Sequence, residues 1–189
     1  MKLSHLFVLS AAAVVPMGAA GAADPQVDVK TSMGSFRIEL YPEKAPKSVE
    51  NFLSYVDAKH YDGTIFHRVI ASFMIQGGGY DENMEKKPVR PAIQNEADNG
   101  VKNLRGTVAM ARTGDPHSAT AQWFVNVVDN AFLNHTAKDG SGWGYAVFGT
   151  VIEGMDVVDK IKAVKTGASG PFSKDAPVDQ VVIKHVKRR

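Results

Sequence analysis

The residues best suited to chemistry lie in one apolar stretch, Phe66–Gly78, which contains one guanidinium and one carboxamide. Arg68 and Gln76 supply these groups, and Phe73 and Met74 supply bulky apolar side chains between them. An arginine in an apolar strand must pair with a carboxylate or face an open surface, because burying an unpaired charge is costly. We interpret Arg68 as facing outward, beside Phe73, Met74 and Gln76.

The local pattern of this stretch predicts two short strands. Residues 65–70 are apolar and β-branched enough for a strand, and residues 73–76 predict a second strand that three glycines end. Side chains alternate across a strand, so Phe66 and Arg68 are expected on one face and His67 on the other. We expect His67 to be buried and hydrogen-bonded rather than catalytic.

The composition argues against several other kinds of chemistry. The sequence has no cysteine, which removes thiol nucleophiles, cysteine-ligated metals and a disulfide framework. The histidines after residue 23 lack close metal-ligand spacing. The glycines at 77–79 lack the lysine and helix start of a phosphate-binding loop. A net charge of +2 gives no electrostatic case for nucleic acid. We therefore predict no metal, no cofactor and no nucleic-acid partner.

The first 23 residues have the pattern of a secretory signal peptide. Lys2 gives a positive start, the apolar run Leu6–Val15 is too short to span a bilayer, and small residues at 19–23 suit cleavage. The alternative, a buried strand or helix, is disfavoured because these small residues run directly into polar ones. We expect residues 24–189 to form one exported domain in the periplasm, without a membrane-spanning segment.

Short strands dominate this domain, and two segments have the apolar period of a helix. The predicted helices are Ala45–Lys59 and Met155–Ala163. The further predicted strands are Val27–Thr31, Ser35–Leu40, Thr107–Thr113, Gln122–Val128, Tyr145–Val151 and Val178–Val186. Phe124 shares a strand face with Gln122 and Asn126, which favours the outer surface for its side chain. Loops are predicted at Tyr80–Gly100 and Thr166–Pro177. About eight strands without β-α-β alternation predict an antiparallel sheet closed on itself, with the helices covering its ends.

Several spaced motifs follow one another along the chain: Phe66–Gly78, Ala109–Arg112, Ala121–Asn126, Tyr145–Gly149 and Gly154-Met155. Together they resemble the motifs of the cyclophilins, which are peptidyl-prolyl cis–trans isomerases. The resemblance covers nearly the whole domain, from Val27 to Val186, and with the signal peptide and Phe132-Leu133 it is greatest to the periplasmic bacterial branch. It implies a closed eight-stranded antiparallel β-barrel with a helix over each end.

The resemblance also implies the roles of individual residues. Arg68 matches the catalytic arginine, and Gln76 matches the glutamine that hydrogen-bonds the substrate backbone. The pocket for the substrate proline ring matches Phe73, Met74, Phe124 and Leu133. Ala111 and Gln122 match the neighbouring binding surface. The implied partners are flexible or unfolded proline-containing polypeptides, and the implied oligomeric state is a monomer.

Two positions of the binding surface depart from the best-known cyclophilins. Phe132 replaces a tryptophan and Tyr145 replaces a histidine, although both remain candidate substrate contacts. In the family, that tryptophan donates a hydrogen bond to the inhibitor cyclosporin A. Phe132 has no donor, so we expect cyclosporin A to bind weakly.

The chemistry implied by the resemblance requires neither a nucleophile nor a metal. Rotation about an X–Pro bond breaks amide resonance, and its barrier is ~18–20 kcal/mol. An enzyme need only stabilise the twisted amide more than the planar one. Arg68 directed at the proline nitrogen would do so. A proline-peptide binding module or holdase with negligible turnover is the alternative that these residues leave open.

Overall fold

The computed structural model describes residues 24–189, and the predicted signal peptide, residues 1–23, lies outside the described residues. The strands in the described part are β1 (Gln26–Thr31), β2 (Gly34–Leu40), β3 (Thr64–Ile70), β4 (Met74–Asp81), β5 (Thr107–Met110), β6 (Trp123–Asn126), β7 (Val147–Glu153), β8 (Thr166–Ser169), β9 (Phe172–Pro177) and β10 (Val182–Arg188). The α-helices are α1 (Pro46–Asp57) and α2 (Met155–Lys162).

Eight of these strands close into an antiparallel barrel in the order β1-β10-β3-β4-β6-β5-β7-β2. The predicted fold class, a closed eight-stranded antiparallel β-barrel with two helices, is confirmed. The loop predicted at Thr166–Pro177 is wrong, because this segment forms the separate β8–β9 hairpin. Phe172 of the hairpin stacks on His67 of β3, so the hairpin covers part of the outer barrel wall.

Helix α1 follows from its sequence pattern and from a cap supplied by a distant loop. Pro46 begins the helix, where its missing N–H would lack a helical partner in any case. The Glu96 carboxylate accepts hydrogen bonds from the backbone N–H groups of Lys47 (3.0 Å) and Ser48 (2.8 Å). Carboxylates at a helix N-terminus satisfy free donors and complement the helix dipole. The polar segment predicted as a loop therefore fastens α1 to the barrel.

Aromatic side chains fill the interior of the barrel. Phe52 of α1 lies 5.9 Å from the ring of Trp123 and 5.1 Å from the ring of Phe148, measured between ring centroids. Phe66 also packs against Trp123, at 5.7 Å, and all four side chains are fully buried. Protein interiors are packed to the density of organic crystals, so this core leaves no room for a substrate. A binding site must therefore lie on the outer wall.

Candidate active site

A β-bulge in β3 turns Arg68 toward the outside of the barrel. Phe66 lies opposite Gly77 of β4, and Arg68 lies opposite Gln76, so two steps along β3 match one step along β4. His67 is the additional residue, and a bulge of this kind interrupts side-chain alternation. Arg68 faces outward as predicted, but the prediction that Phe66 shares its face is wrong, because Phe66 is buried in the barrel core.

A second, smaller apolar cluster lies on the outer wall beside Arg68. Its buried members are Met74, Ala109, Phe124, Leu133 and Val147, and the partly buried Phe73, Ala111 and Tyr145 pack against it. Strand pairing explains the assembly, because β4 and β6 are neighbours and Gln76 lies opposite Phe124. The outward direction predicted for Phe124 therefore agrees with its position, whereas its neighbour Trp123 points into the core.

Arg68, Gln76 and most side chains of the outer cluster line an open cavity of about 560 Å³. The structure brings together nine of the ten residues predicted for the site at this cavity: Arg68, Phe73, Met74, Gln76, Ala111, Phe124, Phe132, Leu133 and Tyr145. The tenth, Gln122, lines an adjoining cavity instead. Phe132 is 74% exposed, and its ring lies 5.4 Å from that of Phe73, so the two rings form an apolar rim.

Arg68, Gln76 and Gln122 form a chain of polar side chains along the edge of the site. Gln76 donates a hydrogen bond of 2.8 Å from its amide nitrogen to Oε1 of Gln122. This contact turns the Gln76 carbonyl oxygen toward Arg68, whose Nη1 lies 3.5 Å away. The Arg68 guanidinium also lies 5.8 Å from the centroid of the Phe73 ring. Within residues 24–189 Arg68 forms no salt bridge, so its charge is available to a bound molecule.

Arg112 is a lining residue that the sequence interpretation missed. Its Nε donates to the Gly144 carbonyl (2.9 Å), and its Nη1 donates to the Thr113 carbonyl (2.9 Å). The guanidinium lies 4.5 Å from the centroid of the Tyr145 ring, within the range of a cation–π contact. Its position directly after Ala111 could have identified it, because a residue flanking a binding-surface position in an extended segment can line the adjoining surface.

Buried asparagines hold two connecting segments that line the cavity. One segment joins β3 to β4 and carries Phe73, and the other follows β6 and carries Leu133. Asn130 donates to the Phe73 carbonyl (2.9 Å) and to Oδ1 of Asn126 (2.7 Å). Asn103 donates to the Leu133 carbonyl at 3.2 Å. Buried polar groups that satisfy one another fix a unique arrangement. The network therefore fixes the backbone at Phe73 and at Leu133, and both side chains line the cavity.

His67 is buried as predicted and does not reach the cavity. Its ring lies 5.3 Å from Phe172 and 4.8 Å from Tyr80, measured between ring centroids. Burial lowers the pKa of His67 to about 4, and the positive charge of Arg68 acts in the same direction. Its Nδ1 has no hydrogen-bond partner. Hydrogen bonding to the Ile65 backbone and to the Gln122 side chain raises the pKa and offsets part of the effect of burial.

Two further observations concern the described part of the chain. Among residues 24–189, no group of three or more histidine, aspartate or glutamate side chains is arranged to hold a metal ion. In the same range, neither α-helix has the length and apolarity needed to cross a membrane.

The geometry of the outer-wall site defines a class of protein. An open wall that offers an apolar seat, a free guanidinium and a carboxamide suits an extended peptide with a bulky apolar residue. Phe73, Met74, Phe124 and Leu133 form the seat, and Arg68 with Gln76 lies along its edge. The site is therefore that of a β-barrel protein that binds peptides on its outer surface.

Residues 26–188 match the family model for cyclophilin-type peptidyl-prolyl cis–trans isomerases. The chain belongs to this family, and it is a peptidyl-prolyl cis–trans isomerase. The resemblance inferred from the sequence motifs is confirmed at this level.

Relatives and solved structures agree with this assignment. The chain is 63% identical over 161 residues to peptidyl-prolyl cis-trans isomerase cyp18 of Streptomyces antibioticus, covering 85% of this chain and 96% of the relative. It is 54% identical over 160 residues to peptidyl-prolyl cis-trans isomerase B of Escherichia coli, covering 85% and 97%. A cyclophilin-type isomerase of Cryptosporidium parvum, solved in the presence of the dipeptide Ala-Pro, superposes with a TM-score of 0.69 at 25% identity, covering 87% of this chain and 98% of that chain.

Proposed function

We propose that Arg68 is the catalytic residue and that it accelerates X–Pro rotation by stabilising the twisted imide. In the planar amide the nitrogen lone pair is delocalised into the carbonyl group, and rotation returns that lone pair to nitrogen. A cation directed at this nitrogen therefore interacts more strongly with the transition state than with either planar state. Only such a difference raises the rate of the chemical step.

The observation that carries this proposal is the unpaired Arg68 guanidinium at the edge of an apolar seat. A carboxylate partner would neutralise the charge, and none pairs with Arg68 within residues 24–189. Gln76 and the Phe73 ring restrict where the guanidinium can lie. A charge that is already in place costs little reorganisation when the amide twists, which is the basis of electrostatic preorganisation.

The apolar seat holds one side of the rotating bond. Met74, Phe124 and Leu133 are each less than 7% exposed, so they form a firm floor, and Phe73 closes one side. A proline ring in this seat would be shielded from water, and the lower polarity would strengthen its interaction with Arg68. Gln76 lies beside Arg68 and is placed to hold the adjoining peptide group. About 7 kcal/mol of selective stabilisation would give roughly five orders of magnitude in rate.

Arg68→Ala tests this role most directly. We expect kcat/KM for an Ala-Pro peptide, measured by NMR exchange, to fall by about 100- to 1000-fold, as for the loss of other preorganised donors. Arg68→Lys should restore only part of the rate, because an ammonium group lacks the planar fork of a guanidinium. Arg105→Ala is a matched control, since it removes an arginine whose surface ion pair with Asp159 lies away from the cavity lining. Wild-type kcat/KM in a folded Arg68→Ala protein would refute the proposed mechanism.

We also propose that the isomerase is exported and acts on proteins that fold in the periplasm. The support is the pattern of the first 23 residues, in which a positive start, a short apolar run and small residues occur in order. Mass spectrometry of the protein recovered from a periplasmic fraction should find an N-terminus near Asp24. Full-length protein confined to the cytoplasmic fraction would contradict export and leave the isomerase assignment untouched.

A further inference from the structure

A second cavity of about 240 Å³ adjoins the candidate active site. The two cavities share Gln76, Ala111 and Arg112 as a common boundary. An extended peptide advances roughly 3.3 Å per residue, and its alternate side chains point to the same face. If a proline occupies the first cavity, the residue two positions away lies about 6–7 Å further along the peptide, and its side chain points to the same face as the proline. Because the two cavities adjoin, that side chain can enter the second cavity.

The two cavities together form a groove of one charge sign. Its lining contains the cations Arg68, Lys86 and Arg112, and it contains neither aspartate nor glutamate. The whole chain is nearly balanced, with 22 lysines and arginines against 20 aspartates and glutamates. The groove therefore differs in charge from the average surface of the protein.

The groove cations have no carboxylate partner within residues 24–189, where seven salt bridges involve other basic side chains. Arg112 uses Nε and Nη1 to bind carbonyl groups, and its Nη2 donates to no other residue of the described range. Lys86 is exposed. The carboxylate nearest in sequence to Arg112 is that of Asp115, which lines neither cavity and accepts a hydrogen bond from the backbone N–H of His117 (2.8 Å).

We propose that Lys86 and Arg112 select X–Pro segments that carry an acidic side chain two residues from the proline. This inference rests on the proposed seat for proline in the first cavity. A glutamate or aspartate entering the second cavity meets the unpaired ammonium and guanidinium groups. A lysine at that position is repelled by them, so discrimination combines attraction with repulsion.

A set of matched peptides tests the preference. Each peptide has the same Ala-Pro core and carries Glu, Gln or Lys two residues before the proline, and a second set carries them two residues after it. We expect kcat/KM to follow the order Glu, Gln, Lys in one of the two sets, with a Glu-to-Lys ratio of about three to ten at low salt, because exposed ion pairs contribute modestly. Raising the salt concentration to about 1 M should shrink the ratio, since the screening length falls to roughly 3 Å.

Variants identify the residues responsible. Lys86→Gln and Arg112→Gln should each reduce the Glu-to-Lys ratio, and the double variant should bring it close to one. Lys30→Gln is the matched control, because β1 lies on the opposite side of the barrel from β6 and Lys30 lines neither cavity. The control should keep the wild-type ratio.

The outcomes separate this inference from the mechanism proposed for Arg68. The charge preference is overturned if the Glu-to-Lys ratio of kcat/KM is one or less in both peptide sets, or if the double variant keeps the wild-type ratio. In either case, activity on the Gln peptides that depends on Arg68 leaves the catalytic proposal standing. Conversely, full activity of Arg68→Ala would refute that mechanism whatever the charge preference is.

Discussion

Lowering the pH should reduce the folding stability of this protein through His67, and His67→Phe should remove much of that pH dependence. The imidazole is 4% exposed and packs against the rings of Phe172 and Tyr80, which also contact each other. Burial lowers its pKa from 6.5 to about 4. In the unfolded chain the same ring takes up a proton at its ordinary pKa. As the pH falls below 6.5, the unfolded state therefore binds a proton that the folded state does not, and stability falls.

The size of the effect follows from the separation of the two pKa values. Each unit corresponds to 1.36 kcal/mol, so the shift of His67 to about 4 implies a loss of roughly 3 kcal/mol between pH 7 and pH 4. A phenyl ring can keep the stacking on Phe172 and Tyr80, and it has no proton to bind. The substitution loses no hydrogen bond at Nδ1, which has no partner, but it removes the contacts of the imidazole with the Ile65 backbone and the Gln122 side chain. The comparison therefore uses the pH dependence of stability and not its absolute value.

The assay is urea unfolding of wild type and His67→Phe at several values between pH 7 and pH 4. Burial also lowers the pKa of His60, which therefore adds acid sensitivity to both proteins, so only the difference between them isolates His67. We expect the variant to lose roughly 3 kcal/mol less than wild type over this range. His185→Phe, at a partly buried position on β10, is the matched control for replacing a histidine by phenylalanine away from Phe172 and Tyr80. Parallel pH profiles for wild type and His67→Phe would refute this account of His67.

Two further predictions concern the inhibitor and the asparagine network. Phe132→Trp adds an N–H donor at the exposed rim of the cavity, and by calorimetric titration it should tighten cyclosporin A binding about fivefold, the equivalent of one net hydrogen bond. Unchanged affinity would instead show that another residue, such as Tyr145, limits binding. Asn126→Leu removes hydrogen bonds to Asn103 (3.1 Å), to Thr107 (2.9 Å) and from Asn130 (2.7 Å), and in urea unfolding it should cost about 3 kcal/mol. A loss below about 0.5 kcal/mol, the size expected at an unremarkable surface position, would show that the network is not stabilising.

The pattern of apolar and polar residues was sufficient to predict an antiparallel sheet closed on itself with two helices, whereas the barrel topology and the set of site residues came from the resemblance to the cyclophilins. Strands β1 to β3 and both helices lie where alternation and helical period place them, within two residues. The prediction that three glycines end the second strand of the site at residue 76 is wrong, because β4 continues through them to Asp81. Phe124 was assigned to the outer wall because it shares a face with Gln122, and the structure agrees. Strand ends were less predictable. The strand expected at Thr107–Thr113 stops at Met110, because the following residues turn to line the cavities.

Features that depend on distant contacts could not be predicted in this way. The bulge at His67 is invisible to strict alternation, because a single extra residue changes the register without changing the composition. The β8–β9 hairpin has the glycine, proline and serine content of a loop, and Phe172 anchors it by packing on His67 and Tyr80. Arg112 could have been inferred as a lining residue from its neighbour Ala111, but its contacts with Gly144 and Tyr145, more than 30 positions away along the chain, could not.

The placement of the cavity on the outer wall, over a filled barrel, affects which prolines the enzyme can reach. A site within the barrel would admit only chain ends or loops narrow enough to enter. This groove has no roof along the described wall, so a long polypeptide can lie across it with both of its arms in solvent. A proline in the middle of a partly folded chain is then as accessible as one near a terminus, and the enzyme can leave without any part of the client being unthreaded.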